Sequence, residues 1–174
     1  MALESAASFG TAPAMRERFV AALRRFANPY RLASYVLVLY ALGHTVGAVI
    51  STPRLGAAAD AVAASMKSVH FDAQGFNDTW YGFYQGFGWL VSVFFLVSAV
   101  ACWHIGGRPA RDRMGLAGIT WPLFLSYAVS VVIACEYFFG APIVFSGTVA
   151  ILLGIACVYD IVACRAVDGN QVRQ

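Results

Sequence analysis

His44, His70, Asp72 and Glu136 are the side chains of this 174-residue chain best suited to proton or metal chemistry around one place. An imidazole beside a carboxylate can shuttle a proton in an isomerisation or a hydrolysis. It can also hold a transition metal or relay protons coupled to transport. No HxxxH or HxxE spacing presets a pair of ligands on one helix, so neither a metal nor another cofactor is assigned. The four cysteines are not paired as CxxC; Cys102, Cys157 and Cys164 fall toward one end and Cys135 toward the other. A structural disulfide and thiol-disulfide exchange are therefore not expected.

His44 stands in "LGHTVG", where Gly43 and Gly47 form a small-xxx-small pair. It lies six or seven residues from the outer end of an apolar run, about 10 Å below the surface at the rise of an α-helix. An ionisable group at that depth is costly unless it faces the bundle interior and meets a partner, which makes it a functional candidate. A histidine that only ties two helices together is the structural reading of the same position.

The second apolar run answers at that depth with Tyr81, Gln85, Gly88 and Ser92 at spacings of 4, 3 and 4, one helix face, and with Tyr84 beside them. Gly82 and Gly86 form a second small-xxx-small pair. Ser130 in the third run, and Ser146 and Thr148 in the fourth, sit in the same outer layer. The candidate ligand-binding set is accordingly His44, Tyr81, Tyr84, Gln85 and Ser130, with Trp80 and His70 at the rim, and the candidate acid or base groups are His44, Glu136 and Asp72. Trp80, Tyr81 and Tyr84 also suit an interfacial aromatic belt. Trp103, His104, Tyr159 and Asp160 make a second cluster at the other end, where Asp160 is expected to pair with Arg108, Arg111, Arg113 or Arg165.

The elements that must position these groups follow from composition. Hydrophobic residues make up 60% of the chain and charged residues 12%, with a mean hydropathy of +0.67, the profile of an integral membrane protein. Residues 30–51, 80–104, 114–136 and 142–164 can each cross a hydrocarbon layer of roughly 30 Å, so the expected fold is all-α: a single domain over residues 1–174, built as a four-transmembrane-helix bundle.

Lys and Arg near span ends tend to remain cytoplasmic. Ten of the twelve, Arg16, Arg18, Arg24, Arg25, Arg31, Arg108, Arg111, Arg113, Arg165 and Arg173, fall on one side; Arg54 and Lys67 fall on the other. Both termini are thereby placed in the cytoplasm of a bacterial inner membrane. The formal charge of +3 records that topology and implies no nucleic-acid partner.

Residues 12–28 read as a basic interfacial helix, with Met15, Phe19, Ala22 and Phe26 at helical spacing. Residues 53–68 read as an amphipathic outer helix capped by Ser51 or Thr52, its stripe being Leu55, Ala59, Val62, Met66 and Val69, either a lid or an interfacial cover. Residues 70–79 read as a polar turn ending in a helix cap at Asn77, Asp78 or Thr79. Pro122 predicts a kink in the third span, and Gly140 with Pro142 leaves a tight turn that makes the third and fourth spans antiparallel neighbours.

The combination "ALGHTVG", "SVHFD", "TWYGFYQGFGW" and "YFFGAPIVFS" resembles a family of small uncharacterised bacterial four-helix membrane proteins, over most of residues 33–150. That resemblance implies the architecture and singles out His44, His70, Asp72, Trp80, Tyr84 and Gly86, without a reaction. More distantly the layout looks like the DoxX-like proteins and the four-helix sterol-isomerase and sigma-2-receptor group, which bind hydrophobic ligands inside the bundle. The latter group relies on acidic residues within its spans, whereas here His44 and Gln85 occupy the outer halves and Glu136 the rim.

Three functions are compatible with these residues. The first is an inner-membrane protein binding a lipid-like or small hydrophobic molecule in an outward-facing pocket, and the second is a membrane-embedded enzyme using His44 with Glu136 or Asp72. The third is a non-catalytic accessory or assembly subunit that meets membrane lipids, a membrane-protein partner or a second copy of itself through its glycine faces. Transport ranks last, because four spans leave little room for alternating access.

Overall fold

The computed structural model describes residues 27–51 and 56–171. The basic helix expected over residues 12–28, the capping position Thr52 and residues 53–55 of the expected outer helix, with Leu55 of its stripe, fall almost wholly outside them. Helix α1 spans Pro29–His44 and continues without a break into a π-helical stretch, Thr45–Ile50. Helix α2, Ala57–Ser68, leads to a hairpin of β1, His70–Ala73, and β2, Phe76–Thr79. The remaining helices are α3, Trp80–Gly106; α4, Ala110–Met114; α5, Ala117–Tyr137; and α6, Gly140–Gln171. Four of these segments are long and apolar enough to cross a membrane, so the chain is a multi-pass, all-α four-helix bundle.

The first span begins as its sequence demands. Asn28 accepts the Tyr30 amide through Oδ1 at 3.0 Å, and Pro29, which has no amide proton to leave unbonded, takes the first helical position. From there Tyr30, Ala33, Leu37 and Ala41 recur on one face and are buried, facing Val149, Leu153 and Ala156 of α6 in the same core. Small alanines at these positions let the two helices approach closely, the usual basis of helix association in lipid. Helix α1 packs on both α3 and α6, and α6 in turn packs on α5, so α1 and α6 are the central pair. The adjacency of α5 and α6 is the one the tight turn implied. Leu39, Leu42, Phe94, Val132 and Val162 are among the large apolar side chains that remain exposed on the outer surface. Water would not tolerate so continuous an apolar surface, and lipid solvates it.

Two expectations need correction. The outer helix runs from Ala57 with Gly56, φ 102°, at its cap position, so Ser51 is not its cap; Ser51 ends the π stretch, its amide bonding to Val46 O at 2.9 Å. Residues 70–79 form an antiparallel hairpin in place of a turn, pairing His70 with Thr79, Phe71 with Asp78, Asp72 with Asn77 and Ala73 with Phe76. Its two-residue loop, Gln74 at φ 55° and Gly75 at φ 86°, has the positive dihedrals of the turn that matches strand twist. Thr79, one of the three caps proposed, does cap α3, accepting the Gly82 amide at 2.9 Å. Helix α5 runs through Pro122 from Ala117 to Tyr137, and Ser126 donates to the Pro122 carbonyl at 2.8 Å.

Candidate functional site

The polar layer expected in the half of the bundle nearest the hairpin is built by α1 and α3. His44 Nδ1 lies 3.1 Å from Ser92 Oγ, and Thr45 Oγ1 donates to the same oxygen at 2.8 Å. Ser92, 4% exposed, also reaches the Gly88 carbonyl of its own helix at 3.3 Å. A serine hydroxyl has one proton and two acceptor positions. All three contacts are satisfied together when Ser92 accepts from Thr45 and from His44 Nδ1–H and donates to Gly88 O. In that arrangement His44 Nε2 is an unprotonated acceptor, and among the described residues it receives no hydrogen bond. The imidazole is half-buried, edge-on to Phe95 at 5.8 Å between ring centres.

The backbone changes winding at the same place. The π stretch opens at Thr45, the residue that shares Ser92 with His44, and such wide turns inside helices are frequent at functional positions. Gln85 Nε2 donates to the Val49 carbonyl at 3.1 Å, supplying a donor to a carbonyl near the end of this stretch. Val49 then fills the notch at Gly88, where any Cβ would come within 2.9 Å of its methyl. The stripe Gln85, Gly88, Ser92 is therefore the surface on which the end of the first span rests. Below it, Tyr40 is stacked between Phe95 at 4.0 Å and Phe145 at 4.9 Å, with its hydroxyl 3.4 Å from Ser146. Thr45, Tyr40 and Ser146 complete this layer. Thr45 adjoins His44 in the quoted motif, and Tyr40 lies one helical turn before it.

Not every expected residue joins. Tyr81 is half-buried with Lys67 Nζ 4.5 Å from its ring centre, while Tyr84 and Trp80 are 54% and 48% exposed. Trp80 belongs to an aromatic ladder, tilted against Phe71 and edge-to-face with Phe83, which in turn meets Phe87 edge-to-face, and this fits the interfacial belt. Ser130 and Thr148 donate to carbonyls of their own helices, Ser126 O and Val144 O, each at 2.8 Å. His70 donates to Asn77 Oδ1 at 2.7 Å within the hairpin, Asp72 is exposed on β1 opposite Asn77, and Glu136 is exposed near the end of α5. Neither carboxylate hydrogen-bonds to His44 among the described residues. With Ser92 buried and already accepting, the His44–Ser92 pair is an interhelical clamp with one free ring nitrogen. It does not present a nucleophile.

The arginine end carries the tightest polar cluster. Arg113 Nη2 lies 2.6 Å from Asp160 Oδ1, Arg113 Nε donates to the same oxygen at 2.8 Å, and Tyr30 Oη donates to Asp160 Oδ2 at 3.1 Å. All three residues are at most 5% exposed. Of the four arginines offered as partners for Asp160, the structure selects Arg113; Trp103, His104 and Tyr159 stay at the surface, so the second cluster reduces to Asp160 with α1 and α4. Among the described residues no group of three or more His, Cys, Asp or Glu could hold a metal ion. No family model, no curated protein and no solved structure matches this chain, which leaves the contacts above as the ground on which a function must be argued.

Proposed function

We propose that the chain is a bacterial inner-membrane protein that holds a lipid-like or small hydrophobic molecule in the hairpin half of the bundle. The observation that carries this reading is the His44 clamp: an imidazole fixed through Nδ1, with Nε2 left as an acceptor, in a layer that also holds the rings of Phe95, Tyr40 and Phe145. Small-molecule sites in proteins are mostly apolar with a few fixed polar groups that set orientation. A hydroxyl or amide proton on an otherwise apolar molecule suits such an acceptor. The 10:2 division of basic residues supports cytoplasmic termini, with the hairpin on the opposite face.

An accessory or assembly role also has an observation behind it. Among the described residues a Cβ placed on Gly43, Gly47 or Gly86 would meet nothing within 4 Å, so these small-residue faces are not used by the described helices and could receive a partner helix or a second copy. Native mass spectrometry after gentle extraction reads both roles in one spectrum. A co-purifying small molecule that is retained by the parent and lost from His44→Ala supports the binding role. A stoichiometric protein mass in its place supports the assembly role. If nothing co-purifies with the parent, or His44→Ala and Gln85→Ala retain the molecule as the parent does, the binding role fails.

A further inference from the structure

At the arginine end one buried cation has no counter-charge among the described residues. Arg31, in the first turn of α1, is 9% exposed, and its Nε is buried without a hydrogen-bond partner. Its stem is wedged against Gly106, where a Cβ would lie 2.9 Å from Arg31 Cγ and 3.2 Å from the Arg31 backbone nitrogen. Only a glycine permits that approach. The guanidinium carbon sits 4.4 Å from the centre of the Trp103 ring, and Nη2 lies 3.5 Å from the Cβ position of Gly107.

Two features near Arg31 favour a positive charge. The Trp103 face attracts a cation, and the carboxyl end of α3 carries a partial negative charge. Neither supplies acceptors for a guanidinium with five N–H donors. The His104 and Ile105 carbonyls at that helix end already receive the Gly107 and Arg108 amides. Asp160 is engaged by Arg113 and Tyr30, and Arg113–Asp160 is the only ion pair among the described residues. Among the described residues the buried Nε–H has no acceptor, which is costly, and the guanidinium has no carboxylate to pair with, so the partner that suits it is an anion rich in oxygen.

The surroundings indicate its source. Trp103 and Tyr35, in edge-to-face contact at 5.7 Å, are 38% and 40% exposed and continue from Arg31 along the apolar outside of α1 and α3. Phosphate at the guanidinium would put a glycerol and the first methylenes of an acyl chain against these two rings. A free anion gains nothing from such a flank. We propose that Arg31 binds the phosphate of an anionic phospholipid, as a fixed lipid site at the end of the bundle opposite the His44 layer and independent of it. Planar guanidinium groups suit phosphate oxygens in paired hydrogen bonds, and basic recesses between spans are a known setting for anionic headgroups.

The test uses the full chain, delipidated in detergent and titrated with phosphatidylglycerol or phosphatidylcholine while bound lipid is counted by native mass spectrometry. One phosphatidylglycerol should bind at least about fivefold more tightly than phosphatidylcholine, the ratio that one basic side chain confers at a membrane surface. Arg31→Gln should abolish the preference, and Arg111→Gln, at an exposed arginine of the same end, should keep it. Arg31→Lys, which keeps the charge and loses the planar fork, should fold and show a reduced preference. The proposal is overturned if the parent shows no preference, or if the preference survives undiminished in Arg31→Lys or Arg31→Gln. Displacement of phosphatidylglycerol by a molar excess of inorganic phosphate would assign the site to a free anion and overturn the lipid as its occupant.

Discussion

Asp160 shows how much a single side chain can organise when lipid surrounds the fold. Its two oxygens take Arg113 from α4 and Tyr30 from α1, tying three helices at one point. The pairing of Asp160 with a nearby arginine was legible in sequence, because a carboxylate at a span end beside a basic loop has few other ways to be satisfied. Which arginine was not legible, since Arg108, Arg111 and Arg113 differ only by the short helix that aims them. Removing one partner of a buried pair strands the other, at a cost of roughly 3–5 kcal/mol. Asp160→Asn should therefore lower stability by about 3 kcal/mol, and Tyr30→Phe, which removes one hydrogen bond, by about 1 kcal/mol. Reversible unfolding in mixed micelles measures both. The double variant Asp160→Asn/Arg113→Gln should lose less than the sum of its single changes, because no charge is left stranded; strict additivity would mean that the pair does not act as a unit.

Among the elements, spans were read more accurately than the connections between them. Apolar length marks a membrane helix directly, so the four spans were found with ends within a few residues, although α6 continues to Gln171. The hairpin was missed because Gln-Gly is a weaker turn signal than Asn-Gly and because "HFDA" and "FNDT" are too short for alternation to register. The π stretch was missed because a hydrophobic pattern records burial and not the width of a turn. Its local signal was polar: His44 and Thr45 are adjacent on the chain, yet both reach Ser92. The hairpin makes its own prediction. Gly75 has φ 86°, so Gly75→Val should cost about 1–2 kcal/mol of local stability, whereas Gln74→Asn, at φ 55°, should be neutral or mildly stabilising. Hydrogen exchange read by mass spectrometry should show protection lost over residues 70–79 in Gly75→Val while the four spans stay protected. Equal protection in the two variants would mean that the turn does not hold the hairpin.

Across the whole molecule, polarity is divided between two ends. The arginine end is locked by Asp160 and packed around Tyr30, Cys102 and Ile105, while the hairpin end holds a layer in which His44 keeps one ring nitrogen unengaged among the described residues. That division has functional meaning only if the two ends face different compartments, as the 10:2 distribution of basic residues proposes. Ala73 on the hairpin and Arg111 in α4 are both exposed and lie at opposite ends, so each can report its side when changed to cysteine. Among the native thiols, Cys102 and Cys157 are buried, Cys135 is exposed and Cys164 is partly exposed, so Cys135→Ser/Cys164→Ser gives a quiet background. In intact spheroplasts a membrane-impermeant maleimide should label Ala73→Cys directly and Arg111→Cys only after permeabilisation. The reverse pattern would invert the topology and place the His44 layer on the cytoplasmic side, where it would meet a different set of hydrophobic molecules. Labelling of both sites in intact cells would show that the basic residues do not set a single orientation, which the positive-inside bias requires of so uneven a split.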